Sequence, residues 1–296
     1  MSRHPATSTI RIQDQQLGPP LAADSVSIST TFHAQNRLRD QPPNIVLVAA
    51  DGVQFYAHLS TLLASSVNGF GGKLPLPSDR DALLHVPISS DIFNIILLTA
   101  YRLSCADFSP SFEQLRAAVN LMPMLGLPPS TYVTHDQPLY AVLLSYASHN
   151  PFDVYILAGS HDLFALAQAT SSHLLSKQLD TISDEEAVAM GSVYLKRLFL
   201  LHHNRTKTLQ RLLGVPPPPH EGTTTCGSRG QQQLTSAWAH TSASILWQIR
   251  PDLSTFAIQS MLRPVEAELT CERCLTALRA HSQFIISEWA AEKLTI

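Results

Sequence analysis

Apolar and polar positions follow no sustained period over the first forty residues, where single apolar side chains stand among Ser, Thr, Gln and Pro. A disordered arm over 1–40 is the expectation. Within it, Ser25-Val-Ser-Ile-Ser-Thr-Thr-Phe32 alternates, which is also the pattern of a short strand that partners could exchange. The pattern changes at Asn44. Ile45 to Ala50 is apolar and β-branched, Asp51-Gly52 is a hairpin-type turn, and Val53 and Phe55 alternate with Gln54 and Tyr56 before a helix opened by His58. Asn68 to Ser78 reads as a loop by its glycines and prolines. Leu83 to Ile88 is a candidate third strand. Asp91 can cap a mostly apolar helix over Ile92 to Leu103, and Ser111 can cap another with Leu115, Val119, Met122 and Leu125 at helical spacing, ended by Gly126 and Pro128.

Helical periodicity takes over afterwards. Pro138 to Ser148, Pro151 to Gly159 and His161 to Leu179 carry apolar residues three and four apart. Ser183-Asp-Glu-Glu186 has the form of a capping box, and the helix it opens is expected to run through Leu198 to Gly214. Pro216 to Pro219 and the Thr- and Gly-rich His220 to Gly230 predict a stiff, then flexible, linker over 215–231. Three last helices are expected over Trp238 to Ile249, Ser254 to Leu262 and Glu272 to Leu294. The predicted organisation is therefore an arm (1–40), an α+β domain (41–135), a helical extension (136–214), the linker, and a helical C-terminal module (232–296).

Composition narrows the function classes. Of 296 residues, 45% are hydrophobic and 15% charged, ample for a core, and the net charge of −3 offers no field to attract nucleic acid or an anionic membrane. No run of apolar residues is long enough for a membrane span, and the N-terminus does not read as a signal peptide, so an intracellular protein, in cytoplasm or nucleus, is expected.

Candidate chemistry is sparse. Cys271-Glu-Arg-Cys274 has the bite of a zinc-binding pair, with Cys226, His220 or His281 as further ligands. The competing reading is that both thiols pack as small apolar groups in the first turn of a helix. No second close pair exists in the sequence, so no metal site and no cofactor are assigned. Gly69-Phe-Gly-Gly-Lys73 fails as a phosphate loop, because Val67 stands where its first glycine belongs and Leu74 where a hydroxyl should hold magnesium. The histidines, among them His202-His203 at the polar end of a helix, are expected at surfaces and helix ends. Ser160-His161-Asp162 are chain neighbours, whereas a triad needs distant residues converging. No catalytic residue is assigned and no enzyme is expected.

One resemblance draws these pieces together. Phe55-x-x-His58 after a strand–turn–strand, Val86 in a strand, Phe93-x-x-x-Leu97-x-x-x-Tyr101, and Phe112-Glu-Gln-Leu115 with Ala117-Ala118 leading to Met124 resemble the BTB (POZ) domain in motif and order. Pro251-Asp-Leu-Ser254, the late Cys-x-x-Cys and a Trp-bearing last helix are further similar to BTB proteins of mushroom-forming fungi. The resemblance implies a protein-interaction module that holds protein partners, self-associates as a homodimer, and puts Val53, Phe55, His58 and Leu62 at a subunit interface. Some such domains are cullin adaptors, which makes a ubiquitin-ligase role the alternative; a zinc-dependent protein using Cys271 and Cys274 is another. The family often has an aspartate opening the first strand and a base after the histidine, where this chain has Asn44 and Leu59. Its cullin-binding members carry an acid near an aromatic, where this chain has Phe70-Gly-Gly-Lys73 and no acid before Asp79.

Overall fold

A computed structural model describes residues 26–74, 83–224 and 226–296. Residues 1–25 of the expected arm and the end of the expected loop, 75–78, lie outside these. The architecture is mixed α+β: a three-stranded sheet with helices, then an entirely helical region. Two compact units form, one from residues up to Asn150 with His161–Leu166, the other from Pro151–Ser160 with Ala167–Ile296. The α+β unit thus reaches past the expected boundary at 135.

Strand β1 (Ile45–Val48) pairs antiparallel with β2 (Gln54–Ala57), Val48 opposite Gln54, and parallel with β3 (Leu83–His85), Val46 opposite Leu83, giving the order β2-β1-β3. The connecting turn closes with the Gly52 N–H donating to the Ala49 carbonyl (2.9 Å), and Gly52 takes φ +83°, a conformation that favours glycine. The carboxylate of Asp51 accepts from the N–H (3.1 Å) and hydroxyl (2.6 Å) of Ser90, joining this turn to the helix Ser90–Ala100. Burial raises the Asp51 pKa, but the bonds from Ser90 outweigh it and hold the group below the usual carboxylate range. That helix buries Phe93 and every residue from Ile95 to Ala100, as its apolar run predicts. Ser111 forms a full capping box with Gln114 at the start of Phe112–Leu121.

The expected arm does not extend to residue 40. Residues 27–32 run beside β2, where Ser29 N–H donates to the Gln54 carbonyl (2.9 Å), Gln54 N–H to that of Ser27 (2.8 Å) and Tyr56 N–H to that of Phe32 (2.9 Å). Phe32 is fully buried, its ring 5.2 Å from Tyr101 and 6.2 Å from Phe55. The segment covers backbone groups that would otherwise form an open sheet edge, and one aromatic anchors it. The alternation ending at Phe32 marks this segment, which forms a single parallel bridge, Ile28 opposite Gln54, rather than a full strand.

In the helical unit the Ser183–Glu186 box opens only Asp184–Met190. The expected long helix breaks at Gly191 (φ +81°, ψ 149°) and resumes as Ser192–Leu213. A Cβ on Gly159 would lie 2.4 Å from the Met190 carbonyl oxygen, so a glycine also lets the Pro151–Ser160 helix approach this break. The expected linker folds back, and a helix starts within it, spanning Ser228–Trp247 instead of 238–249. Helices Thr255–Leu262 and Glu272–Ala291 complete a core that includes Leu209, Leu234, Ile245, Ile258, Leu278 and Ile285. Two buried indoles find acceptors, Trp238 on the Leu213 carbonyl (3.1 Å) and Trp289 on that of Leu253 (2.7 Å). Among the described residues no helix is long and apolar enough to cross a membrane.

Candidate functional site

The helix Leu59–Ser65 after the hairpin carries the first set of candidate residues. Phe55 and Leu62 are fully buried within their own unit, Phe55 edge-on to Phe93 at 5.3 Å, and Val53 is half-buried. His58 is buried and its polar atoms are occupied. Its Nε2 donates to the Gln41 carbonyl (2.8 Å), since a carbonyl can only accept. Its backbone N–H donates to the Tyr101 hydroxyl (2.7 Å), whose proton is then free to meet Nδ1 (2.9 Å). Burial raises the Tyr101 pKa, so this hydroxyl stays protonated. Asn44 has a use that its position at the head of β1 does not advertise: its side-chain oxygen accepts the Leu59 N–H (2.8 Å), capping the helix without a charge. Leu59 is buried, so the Asn44–Leu59 pair carries no charge. The apolar side chains left exposed here are Leu63 (40%), Val67 just past the helix (81%) and Met124 (54%), whose carbonyl accepts from Asn68 (3.1 Å).

The second set lies in the helical unit, where distant segments meet. His220 and Cys226 come from the turn after Ser192–Leu213; Cys271 caps the helix Glu272–Ala291 and Cys274 lies in its first turn. Their four ligand atoms all lie within 4.8 Å of one another. Sγ of Cys226 and Cys274 are 3.7 Å apart, and Nε2 of His220 is 3.2 Å from Cys274 Sγ and 3.5 Å from Cys271 Sγ. All four cysteines are free thiols. His220 Nδ1 donates to the Glu221 carbonyl (2.7 Å), which leaves a lone pair on Nε2, facing the sulfurs. Cys226 is held in a tight turn, its N–H donating to Thr223 Oγ1 (3.0 Å) while its carbonyl accepts from the Thr223 N–H (2.9 Å). A Cβ on Gly230 would sit 2.6 Å from Cys226 Sγ, so this glycine leaves room for the sulfur.

These thiols differ in acidity. The backbone amide of Cys274 draws Cys271 down to about 7 against burial, with help from the Arg273 amide and from the Cys226 and Cys274 thiols. Burial and the neighbouring thiols push Cys274 up to about 12, and burial also raises Cys226. His281, the other candidate ligand, is elsewhere: its Nε2 bonds the Val215 carbonyl (2.9 Å) and its ring packs on Trp238. Of the three further ligands the sequence offers, Cys226 and His220 join the Cys271–Cys274 pair although their turn reads as a linker, and His281 does not.

The remaining histidines correct one expectation. His202 is buried, with Nε2 donating to the Leu174 carbonyl (3.0 Å), rather than at a polar helix end; burial holds its pKa below the ordinary value. His161 bonds Asn120 Oδ1 (2.8 Å), and the Ser160 hydroxyl donates to the Leu157 carbonyl (2.9 Å). No protein-family model, no curated protein and no solved structure matches the chain.

Proposed function

We propose that this chain is a non-enzymatic protein-interaction module of BTB type that self-associates through its α+β unit. The observation that carries the reading is the sheet order β2-β1-β3, an antiparallel hairpin with β3 parallel to β1, followed by the apolar Ser90–Ala100 and the Ser111-capped helix in the order the resemblance implies. The placement of Phe55, His58 and Leu62 supports a supporting role for them: they fix the Leu59–Ser65 helix from behind. The contact falls to the exposed apolar residues around its C-terminal end, Leu63, Val67 and Met124, since solvent-facing aliphatic side chains of this kind gain most from a partner. Light scattering on the full chain tests this. A mass of twice the 32.5 kDa chain is expected, reverting to one chain in Val67→Asp. A single-chain mass at about 100 μM would refute the proposal, since a specific homodimer should be populated there.

A further inference from the structure

We propose that His220, Cys226, Cys271 and Cys274 form a structural zinc site that staples the 220–226 turn to the start of the last long helix. Four-coordinate zinc with Zn–S near 2.3 Å and Zn–N near 2.0 Å demands ligand atoms about 3.8 Å apart between sulfurs and about 3.5 Å between nitrogen and sulfur. The structure offers 3.7 Å between the sulfurs of Cys226 and Cys274, and 3.2 and 3.5 Å from His220 Nε2 to those of Cys274 and Cys271. Three sulfurs and one imidazole are soft donors, which suit zinc and exclude magnesium or calcium as the resident ion. All four positions are filled by protein, as in a closed structural site rather than a catalytic one. The outer contacts agree: Nδ1 of His220 is tied to the Glu221 carbonyl, and Gln231 Nε2 holds the His220 carbonyl at 2.5 Å.

The site also answers a packing question. Among the described residues, 215–227 contain no helix or strand; Pro217 and Cys226 are buried there, and Cys226 joins the hydrophobic core. A loop rich in Thr, Gly and Pro has little apolar area with which to offset its ordering entropy. A metal bound at two points of the loop and two of the helix supplies what the side chains lack. On binding, the thiols coordinate as thiolates and their protons pass to solvent.

Full-length protein, purified under reductant without chelator, is expected to carry about one zinc per chain by elemental analysis. Replacement with cobalt(II) should give the visible spectrum of a tetrahedral thiolate site. His220→Ala, at a half-buried position that core packing does not need, should weaken zinc binding at least about tenfold in competition with a chelator, and His220→Cys should restore it. Protein that stays metal-free after refolding with zinc overturns the proposal. So does a Cys226–Cys274 disulfide in reductant-treated protein, or a His220→Ala variant that holds zinc as tightly as the wild type.

Discussion

Replacing Arg205 should be among the most damaging single changes in the helical unit. This side chain is 3% exposed and lies in the middle of Ser192–Leu213. Its Nε donates to the Pro251 carbonyl (2.8 Å) and its Nη1 to those of Glu292 (3.0 Å) and Lys293 (2.9 Å), while its guanidinium lies 4.2 Å from the Trp289 ring centroid. One fork therefore holds the turn before Thr255–Leu262 and the end of the last long helix. Bonds from a charged donor contribute about 1.5–3 kcal/mol each, so three give roughly 4–9 kcal/mol gross. Burial lowers the Arg205 pKa, the mark of a desolvation cost that offsets several kcal/mol of this. Arg205→Met keeps the stem but leaves three carbonyls unanswered, for a net loss of about 3–5 kcal/mol. Arg205→Lys keeps the charge, cannot fan to three acceptors, and should recover less than half of that. The three tryptophans, 238, 247 and 289, all lie in the helical unit, so their emission reports its unfolding selectively. With a urea slope of about 2 kcal/mol/M, Arg205→Met should lower the midpoint by roughly 2 M. A shift below about 0.2 M would refute the reasoning, since it would mean the three bonds add nothing beyond their desolvation.

Other expectations follow from the same physics. Gly191 combines φ +81° with open space for a Cβ, so Gly191→Ala should cost about 1–3 kcal/mol from backbone strain alone; a loss below about 0.5 kcal/mol would contradict it. Leu62→Ala removes fully buried side-chain volume and should cost about 2–5 kcal/mol by circular dichroism, whereas exposed Val67→Asp, compared at a dilution where both proteins are single chains, should stay within about 0.5 kcal/mol of wild type; the reverse order would place the interface where the core is drawn. Burial depresses the His202 pKa below its ordinary 6.5, so the unfolded chain takes up a proton that the folded chain refuses. Its contribution is intact above pH 6.5 and is lost as pH falls from there towards the lower folded value. His202→Gln, which retains an N–H for the Leu174 carbonyl, should flatten that fall in the tryptophan-monitored midpoint, and an unchanged slope would contradict the assignment.

What the sequence revealed were local signals, and what it hid were contacts between distant segments. The hairpin is legible because Asp51-Gly52 interrupts two apolar runs, and the Ser183 cap because its partner Glu186 lies three residues on. The break at Gly191 is hidden, since apolar spacing continues across it and only the backbone path, with φ +81° at this residue, calls for a glycine. His202 looks polar beside His203 until Leu174 is brought over it. Arg205 stands inside Asn204-Arg-Thr206, a match to a glycosylation pattern, and nothing nearby in sequence tells of the three carbonyls that it gathers. The cysteine cluster divides the same way: Cys271 and Cys274 are visible as a pair, while Cys226 and His220 sit in a segment whose composition argues for a flexible linker. Phe32 shows the limit most plainly, one aromatic ordering a stretch that composition alone would leave loose.

Native mass spectrometry of the reduced, full-length chain tests the account most directly, because one spectrum counts both polypeptides and metal ions. Two chains with one zinc on each is the predicted species, and Val67→Asp should convert it to a single zinc-bearing chain. A wild-type spectrum dominated by one chain, unchanged by that substitution, would contradict the claim that the α+β unit is built to meet another polypeptide.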